Sequence, residues 1–253
     1  MILRRVIAHF KKQEWTAIAI DFLIVVVGVF IGIQVSNWNA ARADQVRAYG
    51  FLERIRADLD VDLVSYRDRL GFWRAVSGYG AKGLAYAETG ETEETKWQIL
   101  LAFFQASQVA EQITTNTTYE ELKSTGELGL IGDIALRGSL ASYYTNAANP
   151  VMTERPAYRE HVRGVIPLGI QLYIWENCYS SDSATVQELH DCASPVSEEQ
   201  AAEIADSIRR NDALMAELRY WISSMHIAAV IASQRIEVAT NLREAVDEKT
   251  ARR

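Results

Sequence analysis

A single apolar stretch near the N-terminus constrains this 253-residue chain more than any other feature. It runs from Thr16 to Val35 and contains only two strongly polar residues, Asp21 and Gln34. As a helix, a stretch of this length reaches about 30 Å, the thickness of the hydrocarbon core of a bilayer. Tryptophans lie just outside both ends, where such helices often carry them. We therefore predict a transmembrane helix over residues 15–38.

Two other interpretations of this stretch remain open. One is a buried core helix of a soluble protein, although such a helix rarely needs to be apolar on every side. The other is a cleaved signal peptide, since Ala41-Arg42-Ala43 resembles a small-residue cleavage site. The apolar run is longer than that of a usual signal sequence, which favours an uncleaved anchor.

Charge differs on the two sides of the predicted anchor. Residues 1–38 carry a net charge of +2, so the whole-chain value of −7 leaves −9 for residues 39–253. Because basic residues favour the cytoplasmic side, we expect a basic cytoplasmic tail over residues 1–14 and a periplasmic domain over residues 39–253. This topology anchors the chain in a membrane, in contact with lipid. So acidic a domain repels nucleic acid, which we do not expect as a partner.

The two cysteines, Cys178 and Cys192, both lie in the predicted exported part. In an oxidising compartment, such a pair predicts one disulfide. The alternative is a metal site formed by Cys178, His190 and Cys192, but it lacks a fourth ligand at a familiar zinc spacing. The disulfide is therefore the favoured prediction, and no metal or other cofactor is expected.

The rest of the chain has the periodicity of helices. Apolar residues recur every three or four positions from Phe51 to Val76, while charges including Asp58 and Asp62 fill the other face. This predicts one long helix from about residue 39 to 87, weakened at Gly78-Tyr79-Gly80. A second helix is expected over residues 94–112. A short third one is expected to be capped by Thr117 or Thr118 and ended by Gly126.

Further helices follow to the C-terminus. Asp133 is expected to open one, Pro167 to mark a kink or a boundary, Ser197 to begin a capping box and Asn211 to cap the last helix. That last helix has an apolar or small row at positions 214, 218, 221, 225, 228, 232, 239, 242 and 246. Packing inside a bundle explains the row better than a coiled coil with another subunit, because it is poor in Leu and Ile. No segment has the alternation of a strand, so we predict an all-α fold: one N-terminal transmembrane helix followed by an extracytoplasmic helical bundle.

No catalytic motif is found in the sequence. Zinc-protease, serine-hydrolase, P-loop and dinucleotide signatures are all absent. The glycines from Gly78 to Gly83 follow a helix rather than a strand, so they indicate a helix break. We therefore predict that the chain is not an enzyme.

The predicted anchor contains better candidates for a contact site. Gly28 and Gly32 form a small-residue pair that permits close helix contact, and Asp21 is a carboxylate that is costly in hydrocarbon unless it faces a partner or water. Residues near the outer boundary can bond across helices. The predicted membrane-partner contacts are Asp21, Gly28, Gly32, Gln34, Asn37 and Trp38.

This segment also resembles a known family. The run Val27 to Asn39, ending in Gln-x-x-Asn-Trp-Asn, is similar to the anchor of a bacterial single-pass membrane family defined only as a domain of unknown function. Residues 51–59 and 118–144 are similar to later parts of the same family, so the resemblance covers about 80 residues. One departure is Ala40, where the family pattern has an acidic residue. The resemblance implies membrane topology and supplies no activity.

These observations lead to one functional expectation and two alternatives. The leading hypothesis is a membrane-anchored periplasmic domain that binds a protein partner or forms a homo-oligomer; the predicted tail is too short for an output domain of its own. The main alternative is a sensory module that binds a small ligand between helices and signals through a membrane partner. An exported hydrolase is the least favoured alternative. The candidate ligand or partner residues are Tyr119, Arg137, Tyr143 and Tyr144, which ordinary packing explains equally well.

Overall fold

The computed structural model describes residues 15–145, 155–181 and 186–251. Within them lie eight α-helices and one short antiparallel hairpin, which confirms the predicted all-α fold class. The predicted tail over residues 1–14 lies outside the described residues. The helices are α1 (Trp15–Thr89), α2 (Lys96–Gln105), α3 (Thr117–Ser124), α4 (Ile134–Thr145), α5 (Ala157–Val165), α6 (Leu168–Asn177), α7 (Glu198–Arg209) and α8 (Asp212–Ala251), and the strands are β1 (Tyr179–Ser181) and β2 (Gln187–Leu189).

The chain divides into two compact units, Met1–Phe51 and Leu52–Arg253. In the first unit, residues 19–47 of α1 are all exposed, and the exposed fraction of Phe22 is 70%. A core helix of a soluble domain would bury much of such a surface. Among the described residues, α1 is the one helix long and apolar enough to cross a membrane. Its length, composition and exposure fit a single-pass anchor.

In the second unit, α1 buries the row that its spacing predicts. The buried apolar members are Leu52, Ile55, Leu59, Leu63, Tyr66, Trp73 and Val76. The predicted weakening at Gly78-Tyr79-Gly80 is wrong, because the helix continues to Thr89. A Cβ on Gly83 would lie 2.8 Å from the ring of Phe103 in α2. The glycine at this position therefore serves close helix packing rather than a helix break.

Helix α2 ends at Gln105, well before the predicted end at Gln112. The Ser107 hydroxyl donates to the carbonyl oxygen of Phe104 at 2.6 Å, a side-chain bond that competes with continued helix. The following residues as far as Ala110 are mostly buried although they are not helical. This segment is therefore buried in an irregular conformation rather than in a helix.

The start of α3 differs from its prediction and its end agrees. Asn116, rather than Thr117 or Thr118, occupies the N-cap position, and its side chain makes no capping hydrogen bond. Gly126 adopts φ 75°, in the left-handed region that favours glycine at a helix end. The termination signal was therefore clearer in the sequence than the initiation signal.

The later helix boundaries follow the predicted signals. Asp133 accepts a hydrogen bond from a backbone amide of α4, and Asn211 does the same for α8. Pro167 separates α5 from α6. Ser197 forms the predicted capping box with Gln200 at the start of α7.

Helix α8 buries every position of its predicted row. Its buried residues are Leu214, Met215, Leu218, Trp221, Met225, Ala228, Ala232, Ala239, Leu242 and Val246. The row packs within the chain, as the bundle interpretation predicts. Arg235, which interrupts the rhythm, is half-buried over the ring of Tyr143.

An antiparallel hairpin that the sequence did not predict follows α6. Its two strands have three residues each, and Tyr179 pairs with Leu189. Cys178 and Cys192 flank it, with their Cα atoms 5.2 Å apart and their sulfurs joined as the predicted disulfide requires. The carbonyl oxygen of Cys192 accepts a hydrogen bond from the indole of Trp97 at 2.9 Å, which attaches this loop to α2.

Candidate functional site

Three of the four predicted ligand-contact residues meet in one cluster of tyrosines in the second unit. Its centre is Asp62, which is fully buried. One carboxylate oxygen accepts the hydroxyl of Tyr143 at 2.6 Å, and the other accepts the backbone N–H of Thr115 at 2.7 Å. The prediction that Asp62 lies on a solvated face is therefore wrong. The carboxylate turns inward because α4 and the segment before α3 bring donors to it.

A directional chain of hydroxyl groups leads into this carboxylate. Tyr143 donates its only hydroxyl proton to Asp62. Its hydroxyl oxygen lies 3.0 Å from the hydroxyl of Tyr66, so it must accept a hydrogen bond from Tyr66. Tyr66 then accepts from the hydroxyl of Thr114, 2.7 Å away. Each of the three hydroxyl protons is thus donated to the next group in this series of hydrogen bonds, which joins α1, α4 and the segment between them.

Burial dominates the electrostatics of the cluster. It raises the pKa of Asp62 above the ordinary carboxyl value, and the hydrogen bond from Tyr143 opposes this shift. Burial and the nearby carboxylate also raise the pKa of Tyr143 far above that of a free tyrosine. Tyr143 is therefore a permanent donor at neutral pH and cannot act as a base.

Tyr144 and Tyr119 form the second layer of the cluster. Their rings stack with centroids 4.6 Å apart, and the Tyr144 ring meets the edge of Tyr143 at 4.9 Å. The Tyr144 hydroxyl is buried and has no hydrogen-bond partner among the described residues. Arg137, the fourth predicted residue, makes no side-chain hydrogen bond or ion pair with this cluster within the described ranges.

A surface groove between α4 and α8 reaches the front of the cluster. It consists of two adjoining cavities of about 400 Å³ and 380 Å³ that share Ser139 and Val238. Tyr143 and Arg235 line one end. At the other end the Lys249 ammonium lies 2.6 Å from a carboxylate oxygen of Asp133. This contact lowers the pKa of Asp133 to about 2. This carboxylate is ionised at neutral pH and is held in an ion pair with Lys249.

Helix α8 continues this groove as an exposed strip on the side opposite its buried row. We call it the outer strip. Its members recur every three or four positions and are all exposed and uncharged: Ala216, Tyr220, Ser223, Ile227, Val230, Gln234, Val238 and Asn241. The strip extends over about 38 Å of helix. The last three members also line the groove, so the strip and the groove form one continuous surface.

The predicted contact residues of the anchor all lie on α1 and are exposed. At about 100° per residue, Asp21, Gly28 and Gly32 fall within about 40° of one another around the helix axis, whereas Gln34 and Asn37 fall on the opposite side. A Cβ on either glycine would meet nothing within 4 Å. The six predicted residues therefore form two faces rather than one, with Trp38 held near Arg42 by a cation–π contact of 5.9 Å.

Sequence reasoning missed Asp62, Tyr66 and Arg235 as members of the cluster. Tyr66 stood in the apolar row, and Arg235 stood out as a break in the rhythm of α8. The four-residue spacing from Asp62 to Tyr66 was an available signal for an inward carboxylate, since residues so spaced share a helix face.

The described residues contain no group of three His, Cys, Asp or Glu side chains arranged to hold a metal ion. In particular, the His190 ring nitrogen lies 3.1 Å from the carbonyl oxygen of Asn177, and Cys178 is paired with Cys192. The alternative metal site at these residues is not formed.

No family model, curated protein or solved structure matches this chain. The resemblance of residues 27–39 to the anchor of a bacterial family therefore stays a prediction.

Proposed function

We propose that this chain is a non-enzymatic protein of the bacterial inner membrane. Its periplasmic helical domain binds a protein partner or a second copy of the chain and so helps to assemble a membrane complex. The N-terminus lies in the cytoplasm, as the basic residues before the apolar segment favour. The apolar exposed part of α1 supports the anchoring role.

The observation that carries the proposal is the outer strip of α8. An exposed helix in a solvated domain normally carries charges on its outward side, but this strip has none along its length. The exposed fractions of Tyr220, Ile227 and Val230 are 63%, 50% and 42%. Apolar side chains at this spacing suit packing against another helix, with the adjoining groove extending the contact area.

The anchor supplies a second, separate contact face. Gly28 and Gly32 allow a neighbouring membrane helix to approach closely, and Asp21 lies on the same side. A carboxylate in that position is stabilised by a polar group on a partner helix. This face supports association within the membrane.

The proposal is tested by mild crosslinking of the full chain in its native membrane, followed by maltoside extraction and intact mass analysis. We expect a complex of defined mass. Replacing Ile227 and Val230 together by Glu should weaken it at least roughly tenfold, because buried uncompensated charges are costly. Leu168→Glu is the matched control, since its exposed side chain lies on α6. A lone monomer, unchanged by Asp21→Leu, would contradict the proposal.

Topology requires its own experiment. A protease added to intact spheroplasts should digest residues 39–253, and the mature chain should keep the mass of its uncleaved anchor. A protected domain would reverse the proposed orientation, and a soluble trimmed chain would support the signal-peptide alternative.

A second candidate function is a sensory module for a small ligand. The groove between α4 and α8 favours it, because Arg235 and Tyr143 converge there on a cavity of about 380 Å³. A thermal-shift screen of small molecules tests it. A specific ligand whose effect is lost in Arg235→Gln supports sensing, whereas a complete absence of shifts leaves protein binding as the favoured function.

A further inference from the structure

Two arginines on α5, Arg159 and Arg163, lie side by side against the buried segment that follows α2. We call them the arginine pair. Arg163 donates through Nε to the Ser107 hydroxyl at 2.9 Å and through Nη2 to the amide oxygen of Gln108 at 3.0 Å. Arg159 donates through Nη1 to the backbone carbonyl of Ser107 at 2.8 Å. These acceptors are all neutral.

Two aromatic rings hold Arg163 in place. Its guanidinium carbon lies 4.6 Å from the ring centroid of Phe104 and 5.2 Å from that of Trp175. The two rings are themselves perpendicular to each other, with centroids 5.8 Å apart. Such packing fixes the orientation of a guanidinium before any ligand arrives, which lowers the entropy that binding would otherwise cost.

The arginine pair has no carboxylate partner. No Asp or Glu lies within ion-pair distance of either side chain in the described ranges, although other arginines on the same domain, such as Arg54 and Arg209, reach a carboxylate. Burial and the charge of Arg159 lower the pKa of Arg163 to about 9. Both residues therefore carry a charge that the fold leaves uncompensated within those ranges.

Several N–H donors of the arginine pair are also left without an acceptor among the described residues. A guanidinium has five N–H donors, and Nε and Nη2 of Arg159 and Nη1 of Arg163 have no acceptor among the described residues. Both side chains are half-buried, so part of each reaches solvent. Behind them, Ser107 and Gln108 are almost fully buried and form a polar floor.

We propose that the arginine pair is a binding site for a phosphate-type oxyanion, either free or at the end of a phosphate monoester. Several acceptor oxygens around one tetrahedral atom match the remaining donors of two neighbouring guanidinium groups. The bound anion neutralises the positive charge of the two guanidinium groups. Because the surrounding domain is acidic, affinity depends on these direct contacts rather than on the long-range field. The inference is independent of the outer strip and goes beyond the proposed function.

The test uses the full chain in a maltoside detergent, which carries no phosphate. Thermal unfolding is measured in sodium phosphate and in sodium chloride of equal ionic strength. With a dissociation constant of about 1 mM, phosphate at about 20 mM should raise the midpoint by about 4–7 °C. Glycerol 3-phosphate forms a second arm: an equal shift indicates that an ester end is accepted, and a smaller one indicates a site for free phosphate.

Matched variants decide where the anion binds. Arg159→Gln and Arg163→Lys should lose most of the phosphate response; the second keeps the positive charge and its aromatic contacts but lacks the planar fork. Arg210→Gln removes an exposed arginine of the same domain and should respond like the wild type. Equal wild-type midpoints in phosphate and chloride overturn the proposal, as does a wild-type response in Arg159→Gln. If a variant does not fold, calorimetric titration of the wild type with phosphate decides, and absence of binding refutes the site.

Discussion

The neighbouring residues Tyr143 and Tyr144 offer a sharp test, because the same substitution should have different effects at the two positions. In Tyr143→Phe, the carboxylate of Asp62 loses a donor at 2.6 Å while remaining buried. A hydrogen bond to a charged group contributes about 1.5–3 kcal/mol, so we expect the free energy of unfolding to fall by about 2–3 kcal/mol. The edge contact of the Tyr143 ring with Tyr144 is kept.

In Tyr144→Phe, the deleted hydroxyl is buried and unpartnered among the described residues. Removing such a group costs nothing and can stabilise by up to about 1 kcal/mol, because its desolvation is no longer needed. The ring remains stacked on Tyr119. This variant is therefore the matched control for Tyr143→Phe.

The assay is thermal unfolding of the detergent-solubilised chain, followed by circular dichroism. At about 2–4 °C per kcal/mol for a domain of this size, the midpoint of Tyr143→Phe should fall by about 4–12 °C, whereas that of Tyr144→Phe should stay level or rise slightly. Equal losses in the two variants, or a greater loss in Tyr144→Phe, would refute the assigned direction of the hydroxyl chain.

Three further predictions concern other parts of the domain. Burial raises the pKa of Asp62, so its contribution to stability is full below the ordinary carboxyl pKa and is lost as the pH rises through the raised pKa. Urea titrations at several pH values should show the free energy of unfolding of the wild type falling relative to that of Asp62→Asn between these two pKa values. A difference that stays constant with pH would contradict this prediction. Gly83→Ala should destabilise the domain by about 1–3 kcal/mol, because the added methyl group meets a buried phenylalanine ring. The methyl group added in Gly78→Ala meets nothing within 4 Å, so that variant should be neutral or stabilise by about 0.5–1 kcal/mol. Denaturation of both variants checks this pair, and equal effects would show that the close packing is unimportant. Replacing Cys178 and Cys192 together by Ser should cost about 3 kcal/mol through loop-closure entropy, measured by denaturation against the oxidised wild type; no loss of stability would count against this role.

The sequence predicts those features of the fold that depend on a regular spacing of residues along one helix. The row of α8 continues over many turns, so its period identifies the buried side without reference to any other element. The boundaries at Pro167 and Ser197 are equally local, because a proline or a capping side chain acts within a few residues of itself.

What the sequence could not predict depends on distant neighbours. Asp62 is buried because Thr115 and Tyr143 bring donors to it from far along the chain, and nothing in its local spacing names them. Ser107 and Gln108 follow an apolar helix and extend its pattern, but their side chains bond to a carbonyl and to the arginines of α5 instead. The hairpin has only three residues in each strand, too few for a period to be recognised.

Helix α8 buries one side in the core and exposes the uncharged outer strip on the opposite side, and this limits how its length can change. A single residue inserted near Met225 would rotate everything beyond it by about 100° relative to the first half. Ala232 and Leu242 would leave the core, and the outer strip would be interrupted at its middle. Related chains should therefore differ in length between helices rather than within this one, and an insertion that they do carry here should restore the original phase after a whole number of turns.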